Sequence, residues 1–143
     1  MSVEVKMNEF NTISGNINAL YHQAAKAFDM FDIDMDILYL IAYLGEGCPQ
    51  AELYKMTGMS KSTVNTAIKR MEKDGTLVLK ASDGRSTDVY LTDKGRSLSE
   101  ATVERLIRVE NQIYDTWSAE DREAFLRLNR QYMELLQKGI EEL

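Results

Sequence analysis

Between Ser60 and Gly75 the chain reads SKSTVNTAIKRMEKDG, and along it short hydrogen-bonding side chains give way to long cations. Ser62, Thr63, Asn65 and Thr66 come first; Lys69, Arg70 and Lys73 follow, with Lys61 at the start. Compact hydroxyls and a carboxamide suit pairing with the donor and acceptor pattern on base edges, and an Asn can hold adenine at two points. Lysine and arginine instead neutralise phosphates and fix register, so Lys61, Lys69, Arg70 and Lys73 point to backbone contacts. A plainer alternative is that the hydroxyls cap a helix and the cations only solvate it; Ser60 fits the capping role in either case.

The stretch has the period of a helix. At about 100° per residue, Val64, Ala67, Ile68 and Met71 fall on one side and Ser62, Thr66, Lys69 and Lys73 on the other, flanked by Thr63, Asn65 and Arg70. That helix needs a platform, and the flanking sequence supplies one. Apolar spacing predicts an amphipathic first helix over 8–28, with Phe10, Ile13, Ile17, Leu20, Tyr21, Ala24 and Phe28 at helical spacing. Asp34 is expected to cap a second helix with Ile37, Leu40, Ile41 and Leu44 inward, closed by Gly45 and Gly47. Pro49 is expected at the first position of a short third helix, PQAELYKMT, with Leu53 and Met56 inward. Gly58 makes the next turn, and the quoted fourth helix ends at Gly75. The period then changes: LVLKA (77–81) and DVYLT (88–92) predict a two-stranded hairpin joined by SDGRST. On its tip Arg85 could enter a minor groove, oriented by a charge-assisted bond from Asp83; an ordinary polar turn is the alternative. Thr92 should cap one long helix through about Trp117, with Leu98, Thr102, Leu106, Val109 and Ile113 on one face. Ser118 and Asp121 form a capping box for a last helix bearing Phe125, Leu128, Tyr132, Leu135, Leu136 and Ile140.

The expected fold class is therefore mainly α with a small β-hairpin: a winged helix-turn-helix over about 34–92, flanked by long helices over about 8–28 and 93–142, in a single domain of 143 residues. Net charge of −6 would argue against a polyanionic partner, but the charge is segregated. Residues 60–96 hold eight basic and five acidic side chains, against nine and eighteen in the remainder. Such a basic patch on an acidic chain is the footprint expected of a nucleic-acid face. Catalysis is disfavoured by a single histidine, His22, without a partnered nucleophile, and by the lack of a glycine-rich phosphate loop. With only His22 and Cys48 as imidazole or thiol ligands, a metal centre is not expected, nor is a cofactor. The N-terminus lacks an apolar leader-like core and no stretch is long enough to span a membrane, so the expected location is cytoplasmic.

SKSTVNTAIKRMEKDGTL, DGRS at the wing, VYLTDKGRSL with its LT-x-x-G pattern, and IDMDILYLIAYL together resemble the MarR (multiple antibiotic resistance regulator) family of winged helix-turn-helix transcription factors, over essentially the whole chain. The resemblance implies a homodimer in which the first and last two helices interlock, gripping successive major grooves of pseudo-palindromic double-stranded DNA. The wide apolar faces of those helices agree with a two-fold partner. It further implies Ser62, Thr63, Asn65 and Thr66 at base-facing positions, Lys69, Arg70 and Lys73 at backbone-facing ones, and Arg85 at the wing. The family function would be transcriptional repression relieved by a small lipophilic or phenolic effector. Phe28, Met30, Tyr39 and Tyr43 could line the effector cleft, or belong to the core or the dimer seam. Two alternatives remain at this level: a winged-helix module for protein–protein assembly without DNA binding, and a redox-sensing regulator acting through Cys48.

Overall fold

The computed structural model describes residues 2–143. The order of elements is α1 (Asn8–Ala27), α2 (Asp32–Leu44), β1 (Cys48–Pro49), α3 (Gln50–Thr57), α4 (Lys61–Lys73), β2 (Leu77–Ala81), β3 (Thr87–Leu91), α5 (Asp93–Ala101), α6 (Val103–Asp115) and α7 (Ala119–Glu141). It is the mainly helical winged helix-turn-helix expected, with one compact unit ending at Leu106 and a second formed by Ile107–Leu143.

Several local expectations hold. Ser60 caps α4 by accepting from the Thr63 amide, Thr92 caps α5 through Gly95, and Ser118 caps α7 through Asp121. Gly58 closes α3 in the left-handed region at φ 68°, which a residue with a Cβ adopts only with strain. The core follows the predicted apolar periods in part: Leu53 is buried, but Met56, expected inward beside it, is 43% exposed, and in α2 Leu38 is fully buried where Leu40 was expected. Ile37, Leu38 and Ile41 of α2 meet Leu53 of α3, the inner stripe of α4 and Leu77, Val89 and Leu91 of the sheet, all buried. Removing this much apolar surface from water is the main force holding α4 against its platform.

Four expectations are corrected. Asp34 does not cap α2: the helix begins two residues earlier at Asp32, Phe31 occupies the cap position, and Asp34 lies in the first turn. Pro49 is not the first residue of α3 but its extended N-cap, because Cys48 and Pro49 form a strand. The hairpin therefore becomes a three-stranded antiparallel sheet in the order β1-β3-β2, with Cys48 opposite Val89, Pro49 opposite Asp88 and Leu79 also opposite Val89. Finally, the long helix after the wing is broken at Thr102 (φ −125°, ψ −92°). Its hydroxyl donates to the Leu98 carbonyl at 2.6 Å, and its own carbonyl starts α6 by accepting from the Arg105 and Leu106 amides. A threonine bonding back one turn in this way bends or interrupts a helix.

Two struts fix the base of the wing. The LT-x-x-G pattern is one: the Thr92 hydroxyl donates to the Gly75 and Thr76 carbonyls, and a Cβ at Gly95 would lie 2.1 Å from the Thr76 oxygen. Only glycine lets α5 come this close. The other is Glu46, in the loop after α2. Its carboxylate accepts from the Leu91 amide at 3.1 Å and from Arg96 at 3.1 Å through both Nε and Nη2. The bond from Arg96 is the main reason its pKa is held below the ordinary carboxylate value.

In the second unit, α6 turns into α7 around Arg122, which lies 4.8 Å over the Tyr114 ring and donates to the Tyr114 and Asp115 carbonyls. Trp117 packs on Phe125 at 5.0 Å between ring centres. No residue of α7 is buried.

Gly95→Ala is expected to cost about 1–3 kcal/mol by overpacking, read as a lowered denaturant midpoint. For Glu46, a depressed folded pKa means that its stabilisation is present above its unfolded value and disappears as pH falls through the folded value. Glu46→Gln should therefore narrow the gap in melting temperature to wild type as pH drops from about 7 towards about 3. A gap independent of pH would show that Glu46 acts without its charge.

Candidate nucleic-acid interface

The site is the outward side of α4 with the wing tip. Val64, Ala67, Ile68 and Met71 are buried, so the helix has one rotational setting and the opposite side is left to solvent. Ser62, Thr63 and Thr66 are exposed on its first turns, and Lys69 and Lys73 are exposed further on. Gln50, at the start of α3, donates from Nε2 to the Asn65 Oδ1 at 3.2 Å. That bond takes one of the two lone pairs on Oδ1 and fixes the orientation of the half-buried Asn65 amide. Thr66 donates its hydroxyl proton to the Ser62 carbonyl at 2.9 Å, leaving lone pairs to accept from a partner. The Thr63 and Ser60 hydroxyls lie 2.8 Å apart.

Local electrostatics sort the cations of the basic stretch. Arg96 is paired with Glu46 and Asp93, and Lys94 donates to the Asp74 carbonyl at 2.7 Å. Lys80 sits 4.8 Å over the Tyr90 ring. Lys61, Lys69, Lys73 and Arg85 are exposed and have no acidic partner among the described residues. Lys61 lies 5.9 Å from the centre of the Tyr54 ring, within the range of a cation–π contact.

Arg70 is a correction. Three residues after buried Ala67 and one before buried Met71, it lies at the border of the inner face and turns towards α2. There its Nη2 donates to Asp34 Oδ1 and its guanidinium stacks 4.7 Å over the Phe31 ring. The wing is a second one. Asp83 and Arg85 are both exposed, and no bond joins them; the loop closes through the Ser82 amide to the Ser86 carbonyl at 3.0 Å and contact between the two hydroxyls, with Gly84 at φ 88° between them. Arg85 is thus carried by the turn and not held by Asp83.

The proposed effector residues divide. Phe28 and Met30 line an open cavity of about 600 Å³, together with Arg70, Met71, Lys94 and Leu98. Tyr39 and Tyr43 do not line it: they lie further along α2, where Tyr39 packs against the core and Tyr43 is 72% exposed. A second open groove, of about 690 Å³, runs from Phe31 and Ile33 to Ser62, Thr63 and Thr66. Cys48 is buried in β1, and burial raises its thiol pKa, which keeps it in the unreactive protonated form. Both the burial and the raised pKa count against the redox alternative.

Sequence reasoning missed Gln50 and gave Asp34 the wrong task. Gln50 carries no local signal beyond polarity at a helix start. The Asp34–Arg70 bond joins residues 36 apart and leaves no trace in either segment's period.

Residues 28–86, which contain most of this site, match the family model described as MarR family. The chain is 24% identical over 114 residues to the HTH-type transcriptional regulator YwoH of Bacillus subtilis (strain 168), covering 79% of this chain and 82% of that protein. It is similar to a MarR-family transcriptional regulator from Silicibacter pomeroyi, at 25% identity and TM-score 0.69 over 87% of this chain and 86% of the other. Its fold also matches MepR of Staphylococcus aureus in complex with DNA, at 19% identity and TM-score 0.68 over 94% and 99%. Residues 28–86 are thus similar to the MarR family in sequence, and the chain has the winged-helix fold of the MarR-family transcriptional regulators it resembles.

Proposed function

We propose that two copies of this chain bind pseudo-palindromic double-stranded DNA, each laying α4 in a major groove, and repress transcription until a small lipophilic or phenolic molecule releases them. The observation that carries this reading is the division of α4: a buried apolar side, and an exposed side that runs from hydroxyls to lysines. Ser62, Thr63 and Thr66 meet base edges, with Asn65 held beside them by Gln50. Lys61, Lys69 and Lys73 meet phosphates, and Arg85 enters the neighbouring minor groove, where negative potential attracts a guanidinium. The winged helix-turn-helix spans about 34–92, and the helices over 8–28 and 93–142 supply the dimer contacts.

Exposed apolar surface supports the dimer. Ile13, Ile17 and Leu20 of α1, Val109 and Ile113 of α6, and Leu128, Leu135, Leu136 and Ile140 of α7 are exposed. Apolar stripes of this length are rare on monomers and mark interfaces. The effector would enter the cavity lined by Phe28 and Met30, whose wall mixes five apolar residues with six charged ones and Thr76. Among the described residues no helix is long and apolar enough to cross a membrane; a cytoplasmic location is part of the proposal. A protein–protein module of the same fold would not need exposed lysines without acidic partners on α4.

Recovery of bound fragments from the native genome, followed by titration at several salt concentrations, tests the reading. Lys69→Ala or Lys73→Ala should weaken binding to all duplexes and lower the salt slope by about 0.9 per lost phosphate contact. Thr66→Ala and Gln50→Ala should instead change which sites are selected, by about 1–3 kcal/mol at the affected base pair. If both groups behaved alike, the division of roles along α4 would be wrong. Light scattering should give twice the chain mass for wild type, and Leu136→Asp should lower it. A monomeric wild type at micromolar concentration would overturn the dimer.

A further inference from the structure

Arg70 is the one cation of α4 that turns inward, and its surroundings are unlike those of the lysines beside it. Asp34, on the first turn of α2, is 14% exposed at its side chain and Arg70 33%. Phe31, three residues before Asp34, supplies the ring on which the guanidinium lies at 4.7 Å. The Arg70 Nε is buried and has no hydrogen-bond partner among the described residues, so the group is sealed on one edge. Burial pushes the Asp34 carboxyl up from its ordinary pKa, and the bond and charge of Arg70 oppose that push. Asp34 also stands where the partial positive charge at the start of α2 favours a carboxylate.

The mechanical position matters more than the strength of the bond. The first turn of α4 is fixed by the Ser60 cap and its middle by Gln50 against Asn65. Apolar contacts set the rotation of α4 about its axis, but they slide and are non-directional. Arg70 is on the last full turn, and a guanidinium clamped between a carboxylate and an aromatic face has a preferred direction. It therefore fixes the far end of α4 in tilt.

We infer that Arg70 is a positioning residue: clamped between Asp34 and Phe31, it sets the tilt of α4 on α2 and thereby the fit of Ser62, Thr63 and Thr66 to the correct site, without itself touching DNA. The inference rests on the α4–DNA reading proposed above. It separates two quantities that a phosphate contact would move together. Loss of a phosphate contact weakens specific and non-specific binding alike, because the backbone carries no sequence information. Loss of tilt harms only the specific complex, where side chains must meet base edges, and leaves the lysines able to hold any duplex.

The test uses the full chain, its selected site and a scrambled duplex of equal length. Binding is followed by fluorescence anisotropy across salt concentrations for wild type, Lys69→Ala, Asp34→Asn, Arg70→Met and the Asp34→Asn/Arg70→Met double variant. Asp34→Asn keeps the shape of the side chain, and circular dichroism checks that each variant is folded; Arg70→Lys replaces Arg70→Met if the latter is not. The expected result is that Asp34→Asn and Arg70→Met each lower the ratio of specific to non-specific affinity about tenfold, leave the salt slope at the wild-type value, and are not additive in the double variant. A merely destabilised protein would lose both affinities in proportion and keep the ratio. Arg70→Met behaving like Lys69→Ala while Asp34→Asn binds as wild type would overturn the inference in favour of a phosphate contact. Wild-type ratios in both single variants would overturn it as well. Wild type failing to bind either duplex would overturn the DNA reading and this inference together, whereas normal wild-type binding with inert latch variants removes the latch alone.

Discussion

The structure depends on one burial. Val64, Ala67, Ile68 and Met71 leave water against α2, α3 and the sheet, and in doing so they fix which side of α4 faces outward. A helix cannot turn its apolar stripe by a fraction of a turn without exposing one of these side chains, and each is worth of the order of one to a few kcal/mol when buried. Everything polar on α4 inherits its direction from that constraint. The caps, the Gln50 bond and the wing struts then adjust a helix whose rotation is already determined.

The unusual charge balance has the same origin. An acidic chain can bind a polyanion only if its cations are left available on one side, and here neighbouring acids are used to remove the ones that are not needed. Arg96 is neutralised by Glu46 and Asp93, and Arg70 by Asp34, while Lys61, Lys69, Lys73 and Arg85 keep their charge facing solvent. Excess acid elsewhere discourages attachment to arbitrary duplexes. Selectivity thus begins with which ion pairs close inside the protein.

Much of this was legible in the sequence because its signals are local. The period of α4, the Ser60, Thr92 and Ser118 caps and the Gly58 turn each lie within a few residues of what they determine. What was not legible is non-local or too short to have a period. A two-residue strand at Cys48–Pro49 has no alternation to detect, so the wing was read with two strands. The apolar stripe runs through Thr102 without interruption, and the break there arises from a hydroxyl bonding to its own helix. Asp34 looked like a cap because a carboxylate at a helix start has that use most often, and its partner lies in a different helix.

The short strand β1 changes what the wing is mechanically. With Cys48 against Val89 and Pro49 against Asp88, β3 is held on both edges, and only residues 82–86 project beyond the sheet. The wing is then a three-stranded bracket with a short projecting tip. On the proposed reading, the span between a helix lying in one groove and a wing tip reaching for the next would be built into the protein, so a mismatch with a given duplex would fall on the duplex, which would have to bend or narrow to suit. Stiff and pliable sequences would be told apart even where no side chain reads them.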